Sequence, residues 1–372
     1  MKICIDIQAA IGQQAGVGRY TRYLVEELAC NHGEHSLMLF YFDFRNNGFP
    51  FNRGTAKERA IRWCPGRFMQ RAWRTIGVPP FNWLSGRADL YHFPNFIRPP
   101  LTCGKSVVTI HDVSFLRHPE TTEQKNLHYL KSQIHKTVQR ADAVITDSVF
   151  SKNEIEELLH VDSSRVFAVH LGLEQAHGTP TEEGIQATKR RYGLERPYIL
   201  SVGTLEPRKN YPFLIDLFDR MEGFNGDLVI AGMRGWKYDP VFERVRHARR
   251  VDNIHLLEFV ADEDLLNLYA GAELFVCPSL YEGFGFTPLE AMTHGIPVLS
   301  SAGGSLKEVL GDAAVVIDGF NLDEWTSELT ALLYDETRKE SLRERGRKHV
   351  KQFTWAKTAA ETLGVYEAIR GC

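Results

Sequence analysis

The sequence predicts an α/β protein of two Rossmann-like domains facing a central cleft, each a doubly wound parallel sheet. Three observations predict it. Short apolar runs alternate with amphipathic stretches, as strands alternate with crossover helices. The alternation occurs once in each half of the chain. The 372 residues suit two domains, each large enough to bury its own core.

In the first half, Ile3–Ile7, Leu37–Phe42, Leu90–Phe93, Ser106–Ile110, Ala143–Thr146 and Val166–Val169 read as strands. Arg19–Ala29, Asn126–Gln139 and Ser151–Leu159 read as helices between them. In the second half, the strands are Tyr198–Val202, Asp227–Ile230, Ile254–Leu257, Leu274–Cys277 and Pro297–Ser300. Its helices are Tyr211–Arg220, Asp262–Tyr269, Pro288–Thr293 and Leu306–Leu310. The polar stretch Leu173–Glu195, with Gly178, Pro180 and Gly184, reads as the linker. The expected domains are residues 1–175 and 176–352, with a C-terminal helix in 353–372 crossing back to the first.

Composition narrows the class. Hydrophobic residues make up 43% and charged residues 24%, as in an ordinary globular protein. Residues 1–180 carry a formal charge of +4 and residues 181–372 one of −7, so the halves suit different partners. Cys4, Cys30, Cys64, Cys103, Cys277 and Cys372 form no C-x-x-C pair or zinc spacing and read as thiols of a reducing compartment. No signal peptide and no run of 18 apolar residues is visible, so a cytoplasmic protein is expected, with no nucleic-acid partner. Arg53–Arg74 stands apart: seven cations face a single acid, Glu58, with Trp63, Phe68, Met69 and Trp73 interleaved. Such a stretch suits peripheral contact with an anionic membrane at its inner face, or a solvated basic helix that Pro65-Gly66 breaks in two.

The strongest chemical signal is Pro278-Ser279-Leu280-Tyr281-Glu282-Gly283-Phe284-Gly285-Phe286-Thr287-Pro288-Leu289-Glu290. It follows an apolar strand and leads into a helix. Gly283 and Gly285 allow a tight turn close to a ligand, and the helix start offers free amides. Glu282 and Glu290 can accept paired hydrogen bonds from sugar hydroxyls, one on the transferred sugar and one on a ribose. Arg208 and Lys209 follow the strand Tyr198–Val202 at its carboxyl end, where open α/β sheets bind ligands; two cations there suit a diphosphate. Gly16, Val17 and Gly18 form a turn before a helix, without G-x-G-x-x-G spacing, so a dinucleotide is not indicated. His111 ends a strand beside Asp112, which orients it or faces the acceptor. Asp262-Glu263-Asp264 is a D-x-D string, but acids in a first helical turn complement the helix dipole, and no metal is required. Ser148 and Ser151-Lys152 read equally as helix caps and cleft residues.

Together these strings resemble the retaining GT-B glycosyltransferases of family 4, which include bacterial mannosyltransferases. Glu282–Glu290 is E-x7-E; Ala15-Gly16-Val17-Gly18-Arg19 resembles the glycine loop and Ile110-His111-Asp112 the first-domain His motif. Val202-Gly203-Thr204-Leu205-Glu206-Pro207-Arg208-Lys209-Asn210, Gly295-Ile296-Pro297-Val298 and Gly303–Val309 continue the pattern in order. The resemblance implies that Lys209 contacts the donor diphosphate and that His111 approaches the transferred sugar without serving as general base. An arginine often follows the family glycine; here Thr204 follows Gly203, leaving Arg208 for the second cationic role. The resemblance further implies that the loop of Phe259 and Val260 holds the base edge, and that the glycine loop lies beside donor phosphate and acceptor.

The expected activity is transfer of a hexose, mannose from GDP-mannose, to a saccharide or polyprenyl-linked acceptor in lipopolysaccharide-type polysaccharide synthesis. The nucleotide sugar is a substrate, and no cofactor is expected. Two other readings fit parts of the pattern: a nucleotide-sugar epimerase of the same fold and a non-catalytic nucleotide-sugar-binding subunit.

Overall fold

A computed structural model describes residues 1–12, 16–31, 33–48, 52–174 and 178–370. Ala15 of the glycine motif, Cys372 and part of the expected linker lie outside them. The chain divides into two compact units. Residues 1–117, 124–172 and 353–372 form the first, and residues 118–123 with 173–352 form the second. The division therefore falls three residues before the expected boundary, and a short segment of the first half belongs to the second unit. Trp236 Nε1 donates to the Thr121 carbonyl (2.6 Å) and Lys237 Nζ to that of Glu120 (2.6 Å), fixing this segment.

The first unit holds a seven-stranded sheet: β1 (Lys2–Asp6), β2 (Ser36–Phe42), β3 (Lys57–Ile61), β4 (Leu90–Phe93), β5 (Lys105–Thr109), β6 (Ala143–Thr146) and β7 (Val166–Ala168). Its order is β3-β2-β1-β4-β5-β6-β7, with every pairing parallel. Strands covered on both faces read as unbroken apolar runs, and all four residues of β4 and of β6 are buried. The sequence reading missed β3. Lys57, Glu58 and Arg59 are exposed on this edge strand, and an edge tolerates charge where a central strand does not.

The last helix, Trp355–Arg370, is part of the first unit. Trp355 stacks on Tyr23 (5.4 Å between centroids), and a Cβ on Gly172 would lie 2.3 Å from the Trp355 nitrogen, so only glycine permits this approach. Further along, Tyr366 Oη meets His92 Nδ1 at 2.6 Å.

The second unit holds β8 (Tyr198–Val202), β9 (Asp227–Ala231), β10 (Ile254–Leu257), β11 (Leu274–Cys277), β12 (Val298–Ser301) and β13 (Val315–Ile317). The order is β10-β9-β8-β11-β12-β13, again all parallel. The three-residue β13 is too short to show a period, and no strand is expected there. Each sheet packs on its own apolar core. Strand order reverses between β1 and β4 in one sheet and between β8 and β11 in the other. At such a reversal the connecting helices leave toward opposite faces, and a crevice opens at the carboxyl ends of the strands. Among the described residues no helix is long and apolar enough to cross a membrane.

Candidate active site

In the second unit the reversal point is occupied by residues that follow β8 and β11. Gly203 follows β8 with φ of 150°, and a Cβ there would sit 3.0 Å from Lys209 Cε, so the lysine stem lies against bare backbone. A single 3₁₀ turn, Pro207–Lys209, then points Arg208 and Lys209 back across the strand end. After β11 the chain turns at Ser279, and the Leu280 amide donates to the Arg208 carbonyl (2.8 Å), locking the two turns together.

Both cations converge on one carboxylate. Lys209 Nζ donates to Glu282 Oε1 (2.7 Å), Ser279 Oγ to the same oxygen (2.6 Å), and Arg208 Nη1 to Oε2 (2.7 Å). Arg208 Nη2 also donates to Glu206 Oε1 (2.6 Å). Glu282 is only 7% exposed. Burial raises its pKa, but the opposing pull of Arg208 and Lys209 is greater and holds it at about 2. Each carboxylate oxygen accepts about two hydrogen bonds. Oε1 is filled by Lys209 and Ser279, whereas Oε2 can accept another.

The backbone of Glu282 is held just as firmly. Ser305 donates to its carbonyl from its amide (2.9 Å) and from Oγ (3.1 Å). Gly304 bridges to it at φ of 67°, and a Cβ there would meet the Glu282 carbonyl oxygen at 2.3 Å. The G-G-S string thus shapes the turn of Glu282. Gly283, Phe284 and Gly285 are buried in the same turn, and Gly285 has φ of 94°. The helix that follows is Phe286–Thr293, starting two residues earlier than expected. Phe286, Thr287 and Leu289 therefore lie in its first turn. Glu290 is half-buried on this helix and accepts from Tyr269 Oη (3.2 Å). Thr204 is exposed just past β8, and Val260 follows β10 on the same sheet edge.

Asp262 and Glu263 open the helix Asp262–Ala270, as the dipole argument expects. Asp264 is buried and accepts from Arg191 Nη1 (2.6 Å) and Tyr192 Oη (3.0 Å), tying two helices together. Among the described residues no group of three or more His, Cys, Asp or Glu is placed to hold a metal.

In the first unit, Gly16 turns at φ of 56° into the helix Val17–Asn31, which contains Val17 and Gly18. His111 stands just beyond β5. Its Nδ1 lies 2.9 Å from Asp147 Oδ2 and its Nε2 lies 3.1 Å from the Pro94 carbonyl. Both nitrogens face acceptors, so the ring satisfies both only as the imidazolium. Burial works against that charge, but Asp147 and the Pro94 carbonyl outweigh it and raise the His111 pKa above 6.5. Tyr20 and Phe96 meet the ring edge-on (4.8 and 5.5 Å).

Asp147, not Asp112, partners His111. The Asp112 carboxylate instead accepts from the Ser114 amide (2.8 Å) at the start of a short helix. Asp147 was missed, though a signal existed: Thr109 pairs with Ile145, and two residues further the same register sets His111 beside Asp147. Ser148 caps the helix Val149–Leu159, accepting from the Ser151 amide (3.0 Å). His92, also missed, is buried and held neutral, its pKa pushed down to about 3 by burial.

Residues 185–349 match the family model described as glycosyl transferases group 1. Over 99% of its length the chain is 31% identical to the O-antigen chain mannosyltransferase B of Escherichia coli, all of which is covered. Among solved structures it is similar to sucrose-phosphate synthase from Thermosynechococcus elongatus (TM-score 0.74, 18% identity, 100% of this chain and 99% of that one). It is also similar to HepE of Anabaena, solved with UDP-glucose (TM-score 0.71, 17% identity, 98% and 99% covered). These structural likenesses show the GT-B fold.

Proposed function

Because the chain belongs to the glycosyl transferases of group 1, we propose that it transfers mannose from GDP-mannose to a saccharide or lipid-linked saccharide acceptor during surface-polysaccharide assembly. The observation that carries the reading is the convergence of Arg208 and Lys209 on Glu282 at the reversal point of the second sheet. Two cations held ready at a strand end suit a diphosphate. The choice of mannose is supported by the full-length likeness to a mannosyltransferase.

In this reading the bond between the anomeric carbon and the diphosphate oxygen breaks, and its electron pair goes to the diphosphate. The acceptor oxygen bonds to the same face of the anomeric carbon, giving retention. The acceptor proton passes to the departing phosphate oxygen. Arg208 and Lys209 offset the growing negative charge, so the step requires no metal. Gly203 and Thr204 border the phosphates, and Val260 borders the base. The open acceptor position on Glu282 Oε2 takes a sugar hydroxyl beside Phe286 and Thr287 at the helix start, and Glu290 takes the ribose. Gly16, Val17, Gly18 and Asp112 serve the acceptor side. His111, donating from both nitrogens, has no lone pair for a proton and acts as a fixed positive group toward the transferred sugar. The free thiols of Cys4, Cys30, Cys64, Cys103 and Cys277 support a cytoplasmic setting.

The test is incubation of purified protein with GDP-mannose, UDP-glucose and related donors, with and without saccharide acceptors, reading products by NMR. Acceptor-dependent transfer from GDP-mannose with retained anomeric configuration is expected. Conversion of the donor to an epimer without acceptor, or an inverted product, would overturn it.

A further inference from the structure

Exposed apolar side chains are concentrated in the segment that follows the edge strand β3. Trp63 and Trp83 are 67% and 70% exposed, and Phe68, Ile76 and Val78 stand out beside them in sequence. The surrounding residues 59–88 carry six arginines and no acidic residue. Isolated apolar residues on a surface are ordinary, but five within 21 positions, rimmed by one sign of charge, mark a contact surface.

The fold explains why these side chains face outward. The helix Gly66–Thr75 is pinned by Met69, which is buried, and by Trp73. Trp73 packs against Phe42 and Phe81 (6.0 and 5.8 Å) and donates from Nε1 to the Pro79 carbonyl (2.7 Å). Met69 therefore belongs to the core and Trp73 packs on it, and both leave the set of membrane-facing side chains expected from Arg53–Arg74. With that face inward, helical spacing turns Arg67, Phe68, Arg71 and Arg74 to solvent, and all four are exposed. In the next helix, Phe81–Ser85, four residues are buried and Trp83 alone is not. Arg62 is shared with Asp43 and Glu58. Among the described residues no carboxylate pairs with Arg67, Arg71, Arg74 or Arg87.

We propose that this face, formed by Trp63, Phe68 and Trp83 with Arg67, Arg71 and Arg74, docks the protein on an anionic lipid bilayer. Indole rings with one polar edge favour the depth of the lipid headgroups, and arginines at that depth meet phosphates. The charge sign and the aromatic content together select a lipid surface: a polyanion without an apolar phase would leave both tryptophans in water. The inference stands apart from the donor assignment, because binding is read without nucleotide sugar.

The test is sedimentation of the full-length protein with phosphatidylcholine vesicles, with and without phosphatidylglycerol. Binding only to the anionic vesicles is expected. Each arginine contributes roughly a five-fold factor near such a surface, so Arg67→Gln, Arg71→Gln and Arg74→Gln combined should weaken binding about 100-fold. Trp63→Ser with Trp83→Ser, at unchanged charge, should also weaken it. Brominated lipids should quench wild-type tryptophan fluorescence and spare the double variant. The substituted positions are exposed, Arg74 lying over the Tyr129 ring (5.5 Å), and circular dichroism should match the wild type. Equal binding to both vesicle types, binding unaffected by either variant, or tighter binding to heparin than to anionic vesicles would overturn the proposal.

Discussion

Replacing Glu282 by glutamine keeps the side chain's shape and removes the charge on which Arg208 and Lys209 converge. A carboxyl held at about 2 instead of 4.5 stabilises the folded state by about 3 kcal/mol at neutral pH. The group is buried, so solvent does not dilute this figure. Breaking a buried ion pair by removing one partner costs about 3–5 kcal/mol, and Arg208 keeps Glu206, which favours the lower end. The sign follows from the direction of the shift. A depressed carboxyl contributes fully above its unfolded value of 4.5 and loses that contribution as pH falls through about 2. At pH 3 the remaining contribution is about 1.4 kcal/mol. Urea unfolding of wild type and Glu282→Gln should show a gap of about 3 kcal/mol at pH 7, or a drop in Tm of roughly 6–12 °C, narrowing toward pH 3. Equal stability at pH 7, or a gap that widens in acid, would refute the reasoning.

Further outcomes follow from other contacts. Asp147→Asn removes the charge that raises the His111 pKa. The imidazolium is then lost at lower pH, so the basic limb of the kcat/KM profile should move down in pH; an unmoved limb would exclude this role. In the wild type, the stability supplied by the raised His111 value is full below 6.5 and fades as pH rises through that value. Lys209→Ala should weaken GDP-mannose binding roughly 10–100-fold by calorimetry, as loss of a charged hydrogen bond to phosphate does. Gly304→Ala forces a Cβ to 2.3 Å from the Glu282 carbonyl oxygen at positive φ; a loss of roughly 2–4 kcal/mol in urea unfolding is expected.

Much of this architecture could be read from the chain because its strands are buried on both faces. Runs such as Leu90–Phe93 and Leu274–Cys277 leave no polar residue for solvent, or only one that a partner satisfies, as His92 is by Tyr366. β3 escaped notice because an edge strand need not be apolar, and Lys57-Glu58-Arg59 carries no strand signal. Within the candidate site, Glu282, Arg208 and Lys209 were each legible from their places after strands. Their mutual ion pairing was not, since it joins turns more than 70 residues apart. Asp147 was missed for a similar reason. Its meaning lies in the register between β5 and β6, and the neighbouring Asp112 offered a nearer but incorrect partner for His111.

The placement of Trp355–Arg370 bears on how genetic lesions in this chain should be read. A frameshift after residue 352 lies downstream of every residue of the second unit, yet it leaves that unit's sequence intact. What it deletes are Tyr366 against His92 and Trp355 against Gly172, both inside the unit that begins with β1. Judged by position alone, such an allele would be assigned to the second unit, while its damage falls on the unit that holds His111.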